Sequence, residues 1–476
     1  MRTIALGLDV GTSGARVLAV DDSGAVIAET TQSHPLLTPQ PGWTEQNPSD
    51  WWQASCQALQ EMMSKLSEHT VVGIGMAGQM HGMTPLDAHG EVVRPAMLWN
   101  DQRTGDAVTS IDQAVGRSTL IERGGNPAIT GFQLPKLVWL RDSEPDAFAK
   151  TRHVLFPKDY ITYKLTGEMI AEPADASGSN CFHLASKRWD AEVLGAVGVD
   201  TSLFPEVLAS HDVAGKVTAD AAAASGLPEG LPVIAGAGDN ASAAFGLGLS
   251  KDNLSLGSLS LGTSGVIFAP LETATPDPDG RVHLFCHADG GYNLLGVTLA
   301  AAGSFQWYRD TFYPERSFDD LTQLAQTSQP GAGGVTFKPY LAGERTPHMN
   351  PDLRGSWTGL SLATTQADVV RAVLEGVAYS LRDTLDVIRP LANVTELLTT
   401  GGGSTSDFWL QIVSDVLETP LKQPQFNQGV AYGAALLAFW GSGQPVVSNA
   451  QTTTHQFLPA SNSAYAKALA RYQALN

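Results

Sequence analysis

The chain of 476 residues contains little cysteine and little positive charge. Its three cysteines, Cys56, Cys181 and Cys286, are far apart, which is not the spacing of a disulfide framework and is typical of a reducing compartment. Lysine and arginine number 29 against 48 acidic residues, and the formal charge of −19 argues against a nucleic acid or an anionic membrane as the main partner. We therefore expect any phosphate to be bound by local amides, a metal ion or a few placed basic groups.

Long apolar runs are also missing. The longest, VAYGAALLAFW at residues 430–440, is well short of the ~18 residues that a membrane-spanning helix needs, and it predicts a buried helix instead. Near the N-terminus, Asp9 interrupts the apolar stretch that a secretory signal would require. These absences predict a cytoplasmic protein without a membrane segment.

Glycine, by contrast, is abundant, and the sequence GTSG occurs twice, at residues 11–14 and 262–265. Strand-like alternation on both sides of the first copy predicts that it forms the bend of a hairpin. Its glycines allow several backbone amides to point into one concavity, and its hydroxyls add donors, so the turn suits phosphate oxygens. A single GTSG is more often a plain tight turn, but two copies favour a nucleotide held between two similar halves. The P-loop pattern GxxxxGK[ST] is absent.

Strand and helix patterns alternate along the chain and restart near the second GTSG. This order indicates an α/β protein of two domains, residues 1–245 and 246–476, for which an internal duplication is the simplest explanation.

The segment GAGDNA at residues 236–241 is close to the dinucleotide-binding pattern GxGxxG/A. However, Asp239 directly follows the second glycine, where its carboxylate would repel a pyrophosphate, and the acid expected after the next strand is missing. An NAD-linked enzyme is therefore disfavoured. Asp239 is then either an ordinary helix N-cap or a base that accepts a proton from a substrate hydroxyl during phosphoryl transfer.

The two GTSG copies differ in one acid. Asp9 stands two residues before the first copy, and Ser260 holds that position before the second. A lone carboxylate beside a phosphate turn is where Mg²⁺ would be held, often through water. One magnesium-linked nucleotide needs such an acid beside only one of its two turns.

Four segments resemble, in order, the motifs of the FGGY carbohydrate kinases. They are GLDVGTSG (7–14), PVIAGAGDNA (232–241), LSLGTSGV (259–266) and TGGGSTSDFW (400–409). Residues 355–376 match the C-terminal signature of the family, and residues 131–145 match the N-terminal one except that Gln133 replaces a usual Ser, Thr or Pro. The resemblance implies a two-domain α/β, actin-like ATPase fold (ribonuclease H-like) with a cleft between duplicated domains.

On the sugar side, GQMHGM (78–83) and LWNDQR (98–103) are similar to those family members that act on D-xylulose. That resemblance implies sugar contacts from a set of residues in the N-terminal domain: Met80, His81, Trp99, Asp239 and Asn240. It further implies transfer of phosphate from MgATP to the C5 hydroxyl of a ketopentose, with Asp239 as the base and Asp9 at the magnesium. D-ribulose, L-xylulose or a pentitol remain open as substrates because Gln133 departs from the signature.

On the nucleotide side, the resemblance implies two sets of contacts with ATP. The phosphates are expected at Gly11, Thr12, Ser13, Gly262 and Thr263, and the adenosine at Gly303, Trp307, Gly402, Gly403 and Ser406. It is also compatible with a homodimer.

Several of these residues have simpler interpretations. Met80 alone would suit a core position, His81 a structural hydrogen bond, and Asp101 with Arg103 a surface salt bridge. His283, Cys286 and His287 provide at most three neighbouring metal ligands without a second cluster, which disfavours zinc. A non-catalytic nucleotide or sugar sensor would tolerate loss of Asp9 or Asp239, and the sequence has both.

Overall fold

The structure is a computed structural model that describes residues 2–425 and 428–475. The strands of the first half are β1 (Arg2–Val10), β2 (Gly14–Asp21), β3 (Val26–Ser33), β4 (Glu45–Gln46), β5 (His69–Gly78), β6 (Thr84–Leu86), β7 (Ala96–Met97), β8 (His153–Leu155), β9 (Ile170–Ala171), β10 (Phe182–His183), β11 (Arg188–Trp189), β12 (Glu206–Val207), β13 (Val213–Lys216) and β14 (Pro232–Gly238). The helices of this half are α1 (Pro48–Lys65), α2 (Gly105–Val115), α3 (Arg117–Gly124), α4 (Gln133–Ser143), α5 (Pro145–Lys150), α6 (Pro157–Thr166), α7 (Pro173–Ala176), α8 (Ala191–Ala196), α9 (Ala219–Ser225) and α10 (Asp239–Gly246).

The second half continues the same alternation. Its strands are β15 (Leu256–Leu261), β16 (Gly265–Leu271), β17 (His283–Cys286), β18 (Tyr292–Thr298), β19 (Thr336–Lys338), β20 (Ser356–Thr358), β21 (Glu396–Thr400), β22 (Leu421–Pro424) and β23 (Thr453–Phe457). Its helices are α11 (Ala302–Phe312), α12 (Phe318–Gln326), α13 (Gln366–Ile388), α14 (Asp407–Leu417), α15 (Val430–Gly441) and α16 (Ser463–Gln473). Within the described ranges, no helix combines the length and the apolar character needed to cross a membrane.

Two large sheets have the same plan. The first has the order β13–β14–β5–β1–β2–β3, and the second has the order β17–β18–β16–β15–β21–β22–β23. In each, three parallel central strands (β1, β5, β14 and β15, β21, β22) continue into antiparallel neighbours on the other side (β2, β3 and β16, β18). The two-domain α/β fold is confirmed, and the matching strand order supports the internal duplication.

Both GTSG segments lie at equivalent hairpin bends, as predicted for the first copy. Val10 pairs with Ala15 across the β1–β2 turn, and Leu261 pairs with Gly265 across the β15–β16 turn. Since β1 and β15 occupy the same central position in their sheets, Asp9 and Ser260 are topological counterparts.

Helices α10 and α15 join the two halves. The apolar segment that predicted a buried helix is α15, which packs directly on the first sheet: a Cβ at Gly7 would lie 1.9 Å from the Ala431 carbonyl oxygen, and a Cβ at Gly75 equally close to that of Ala434. In the opposite direction, Leu247 at the end of α10 packs with the apolar core of the second sheet. Helix α15 therefore packs on the sheet of the other half, and the C-terminal end of α10 reaches the core of the second sheet.

Candidate active site

The β14–α10 junction determines where Asp239 lies. Helix α10 begins at Asp239 itself and its N-cap is Gly238, so the interpretation of Asp239 as an ordinary N-cap is wrong. The Asp239 carboxylate accepts hydrogen bonds from the backbone N–H and the side-chain amide of Asn240, at 2.7 and 3.0 Å. Burial raises the pKa of Asp239 to about 6, although these two hydrogen bonds lower it.

Asp9 is electrostatically coupled to Asp239. Burial and the neighbouring Asp239 charge raise the pKa of Asp9 to about 7, while Arg16, its cross-strand partner on β2, lowers it. The Asp9 Oδ1 atom is buried and has no hydrogen-bond partner in the described part of the chain. A buried carboxylate oxygen without a donor, close to a second carboxylate, suits a divalent cation, so the residues present fit Mg²⁺.

A cavity of about 320 Å³ lies between the two halves at Asp239, and we call it the Asp239 cavity. All five residues predicted to contact the sugar line it, namely Met80, His81, Trp99, Asp239 and Asn240. Further lining comes from residues that were not predicted to contact the sugar, including Gln102, Phe132, Ser264, His283, Phe285, Arg345 and Met349. The core interpretation of Met80 is half right, because its side chain is 4% exposed and yet faces this cavity.

His81 is held in an unusual backbone conformation, with φ 67° in the left-handed region. Its Nδ1–H donates to the Gly178 carbonyl at 2.8 Å, and its backbone N–H donates to Asp175 at 3.2 Å. Burial and the nearby Lys136 charge lower the pKa of His81 to about 3, so the ring is neutral at physiological pH. Because Nδ1 carries the proton, Nε2 is left as a hydrogen-bond acceptor.

Buried charges that the sequence analysis missed support both sides of the cavity. Lys136 donates from Nζ to the carbonyls of His81 (2.7 Å) and Gly131 (2.5 Å), which ties the two loops together. Glu172, fully buried 3.5 Å from Lys158, accepts a hydrogen bond from the Gly238 N–H at 3.2 Å. The residue before Asp239 is therefore fixed by a charged hydrogen bond.

The first GTSG turn connects to the Asp239 cavity through Trp99. The Trp99 indole Nε1–H donates to the Thr12 hydroxyl at 3.1 Å, and the ring remains 44% exposed. Gly11 closes the turn by donating to the Gly14 carbonyl at 3.0 Å, and Ser13 is exposed. Residues 11–13 themselves do not line the Asp239 cavity, and the Thr12 hydroxyl reaches it only through its hydrogen bond with Trp99.

A second cavity, of about 450 Å³, lies between the second GTSG turn and the glycine-rich segment after β21, and we call it the Gly402 cavity. Six of the residues predicted to bind nucleotide line it: Gly262, Thr263, Gly303, Gly402, Gly403 and Ser406. A Cβ at Gly402 would meet open space, so the backbone there is accessible to a flat ring. Ser406 is also the N-cap of α14.

Trp307 is not brought to the Gly402 cavity. One turn along α11 from Gly303, its ring packs instead against Phe312, Phe337 and Trp357, with centroids 5.7 to 6.4 Å apart. The expected contact of Trp307 with adenosine therefore lacks support, because the neighbouring aromatic side chains occupy the ring.

The simpler interpretations of other residues have mixed outcomes. Asp101 and Arg103 do form a salt bridge, at 2.7 Å, but it is buried instead of exposed and lies under Trp43. His283 contacts Asn126, and His287 contacts the Leu249 carbonyl. Across residues 2–425 and 428–475, no group of three or more His, Cys, Asp or Glu is arranged to hold a metal ion.

Comparison with known sequences decides the family. The profile of the N-terminal domain of the FGGY family of carbohydrate kinases matches residues 4–246, and that of the C-terminal domain matches residues 257–442. The chain belongs to the FGGY family of carbohydrate kinases. As an FGGY kinase it is an ATP-dependent enzyme that phosphorylates a sugar, and the alternatives of an NAD-linked enzyme and a non-catalytic sensor are wrong.

Individual FGGY kinases are similar to this chain over most of its length. The xylulose kinase of Bacillus subtilis (strain 168) is 37% identical over 467 residues, which cover 97% of this chain and 93% of the relative. The xylulose kinase of Escherichia coli (strain K12) is 36% identical over 457 residues, with 95% and 92% covered. The crystal structure of xylulose kinase from Rhodospirillum rubrum superposes with a TM-score of 0.94 at 30% identity, covering 99% of this chain and 98% of that one.

Proposed function

We propose that this FGGY kinase transfers the γ-phosphoryl group of ATP to the C5 hydroxyl of D-xylulose, with Asp239 as the base. The observation that carries the proposal is that His81, Trp99 and Asp239 line one small cavity between the two halves. The similarity to proteins named xylulose kinases, at 36% and 37% identity over nearly the whole chain, supports this choice of sugar.

In this mechanism, Asp239 accepts the proton of the C5 hydroxyl as that oxygen bonds to the γ-phosphorus. The bond from the γ-phosphorus to the bridging oxygen breaks at the same time, and ADP leaves with the electron pair. A base with a pKa of about 6 is mostly ionised at neutral pH and can still receive a proton. The Asn240 hydrogen bonds hold the carboxylate at the entrance to α10.

Asp9 is the residue that would hold Mg²⁺, because its buried Oδ1 lacks a donor among the described residues. When bound, magnesium supplies positive charge to the nucleotide phosphates. The amides and hydroxyls of the two GTSG turns, one from each half, provide further donors to those phosphates. The Gly402 cavity, beside the second turn, has the glycine-lined wall expected for the adenosine.

Within the Asp239 cavity, the sugar would meet an apolar wall and several acceptors. Trp99 offers the face of its indole ring, and His81 offers Nε2 to a hydroxyl. Gln133, which departs from the family signature, is buried at the start of α4 and donates to the Gly82 carbonyl at 3.2 Å. Its effect on the sugar would therefore be exerted through the loop of Met80 and His81.

The test is a coupled assay of ADP release with D-xylulose, D-ribulose, L-xylulose, xylitol and glycerol. We expect the highest kcat/KM with D-xylulose, and a product whose ¹³C spectrum shows coupling to phosphorus at C5. A higher kcat/KM with another sugar would transfer the proposal to that substrate, and an absence of stimulation by every sugar would overturn it. Light scattering on the same preparation tests the predicted homodimer.

A further inference from the structure

One cation faces the Asp239 cavity from the second half of the chain. Arg345 is partly buried and lines this cavity together with His81 and His283. Within residues 2–425 and 428–475, its guanidinium group has no hydrogen bond and no ion pair. The adjacent Glu344 carboxylate is already used, because it accepts hydrogen bonds from the backbone N–H groups of Leu299 and Arg345, both at 2.8 Å.

The loop that carries Arg345 is fixed on both sides. Glu344 and Asn350 exchange two backbone hydrogen bonds of 2.9 Å, which close the loop on itself. Thr346 donates from its backbone N–H to the Val297 carbonyl on β18, and its hydroxyl donates to the Arg281 carbonyl, at 2.9 and 2.8 Å. The guanidinium group is therefore presented from a well-anchored backbone, which lowers the entropy lost when it binds a ligand.

The position of Arg345 is at the histidine end of the cavity. Its neighbour Thr346 is hydrogen-bonded to Val297 on β18 and to Arg281, two residues before His283 on the adjacent β17, and the Arg345 charge lowers the pKa of both His81 and His283. Asp239 lines the cavity from the start of α10 in the first half, and Arg345 lines it from a loop of the second half. Arg345 would thus meet a bound sugar from a different wall than Asp239 does.

The two histidines that line the cavity with Arg345 act as acceptors toward a ligand. His81 and His283 each use Nδ1–H as a donor within the protein, to Gly178 and to the Asn126 side-chain oxygen at 2.8 Å. The Asn126 orientation is fixed because its amide donates to the Leu284 carbonyl at 2.8 Å. Both rings are held neutral by burial, so each offers Nε2 as an acceptor for a sugar hydroxyl. Arginine, in contrast, can only donate.

The chemistry of a 2-ketopentose supplies a matching acceptor. Its ring form is closed by the C5 hydroxyl, so phosphorylation at C5 requires the open chain, in which the C2 carbonyl is free. A carbonyl oxygen has no proton to give to a histidine Nε2 and needs a donor from the protein.

We propose that Arg345 binds the C2 carbonyl oxygen of the open-chain ketose, and that it thereby selects a ketose over the corresponding pentitols. This inference rests on the proposed function. It assigns a substrate-specificity role to a residue of the second half, whereas the predicted sugar contacts all belong to the first.

The test compares D-xylulose with xylitol and D-arabinitol, the two pentitols that reduction of its carbonyl produces. We expect Arg345→Met to lower kcat/KM for D-xylulose by about 10- to 100-fold, the range for a hydrogen bond with a charged donor, and to change the pentitol values by less than about threefold. Arg345→Lys, which keeps a charged donor, should recover part of the loss. If pentitol turnover is too slow, the inhibition constant against D-xylulose replaces kcat/KM.

Arg316→Met is the matched control, because Arg316 is an exposed arginine of the same half and lies outside the cavity lining. Its substrate preference should equal that of the wild type. Equal losses with ketose and pentitols in Arg345→Met would overturn the proposal and leave Arg345 a structural residue.

A measurement on the wild type covers the case in which the variants do not fold. The infrared C=O stretch of [2-¹³C]-D-xylulose should move to lower frequency on binding, and an unshifted band would contradict the carbonyl contact. If the wild type phosphorylates no ketose, the proposed function fails; if it phosphorylates D-xylulose without the expected selectivity, only the role of Arg345 fails.

Discussion

The two halves of the molecule share a strand order but differ in where they carry carboxylates. Asp9 on β1 corresponds to Ser260 on β15, since each precedes a GTSG turn by two residues. After the third parallel strand of each half, α10 begins with Asp239, whereas α15 begins with the apolar Val430. Each half thus carries one GTSG turn, and the two acids of the proposed chemistry stand only in the first.

The partly buried acids have a cost that explains this asymmetry. Burial raises the pKa values of both Asp9 and Asp239, and the Asp239 charge raises that of Asp9 further, so ionisation of each acid is less favourable than in water. A second such pair in the other half would add the same cost without a second nucleotide to use it. Ser260 and the apolar α15 avoid it, and α15 instead packs directly against the first sheet.

The largest expected effect comes from removing the proposed base, Asp239, at the start of α10. Asp239→Asn should lower kcat by about 10²–10⁴-fold, because the amide cannot accept the proton of the hydroxyl. In the wild type, kcat/KM should fall as the pH drops below about 6, since Asp239 is then protonated. The pH profile of steady-state ADP release measures both effects.

The control is Asp220→Asn, which removes an exposed acid from the first turn of α9 in the same half. It should leave kcat and the pH profile unchanged. Wild-type turnover in Asp239→Asn would exclude Asp239 as the base.

The second-largest effect is expected when Asp9, which precedes the first GTSG turn, is replaced by serine, the residue that precedes the second turn. Asp9→Ser should reduce kcat by about 10²-fold at fixed Mg²⁺ and raise the magnesium concentration needed for half-maximal activity, because a ligand is lost. The reciprocal Ser260→Asp should not restore activity in the double variant, since it is Asp9 that lies close enough to Asp239 for the two charges to interact. An unchanged magnesium titration in Asp9→Ser would contradict the metal role.

A smaller effect tests the crossing of the two equivalent helices. A Cβ at Gly433 on α15 would lie 1.7 Å from the Ser242 carbonyl oxygen on α10, so Gly433→Ala should lower the free energy of unfolding by about 1–3 kcal/mol. Gly195→Ala on α8 is the control, because a Cβ there meets open space and alanine favours a helix. Urea unfolding measures both, and equal stabilities would mean that the helices do not pack this closely.

The smallest effect is on stability and has the opposite sign to the effect on activity. The pKa of Asp9 in the folded chain, about 7, lies above its usual 3.8, so ionisation of this carboxylate lowers the free energy of unfolding. The loss is complete above pH 7 and absent below about pH 4, where Asp9 is protonated in both the folded and the unfolded chain. Asp9→Asn should therefore raise Tm by about a few degrees at pH 8, with the gain vanishing as the pH falls toward 4. Calorimetry without magnesium, at both pH values, measures it. A gain independent of pH would show that the Asp9 charge is not its source.

The site was predictable from the sequence where a motif is local. The GTSG hairpin bends, the buried helix α15 and the glycine-rich wall of the Gly402 cavity each follow from a few adjacent residues, because turn chemistry and apolar periodicity act over short distances. Asp239 was found in the same way, although its N-cap interpretation was wrong by one residue.

Other parts of the site depended on contacts between distant segments. Nothing near Glu172 in the chain indicates that it holds Gly238, and nothing near Arg345 indicates that it faces His81. Trp307 shows the reverse: the family resemblance implied a nucleotide contact, but its ring packs against aromatic residues such as Trp357, 50 residues away in the sequence.

The sequence by itself determined the family, the strand and turn chemistry and the acids that distinguish the first half from the second, since each is written in short runs of residues. Only the tertiary structure decided which segments of the two halves of the chain line the same cavity. Helices α10 and α15 pack on one another between the halves, and Arg345 of the second half lines the same cavity as Asp239 of the first. Such an arrangement depends on close packing between elements nearly 200 residues apart, as at Ser242 and Gly433, and no local pattern encodes it.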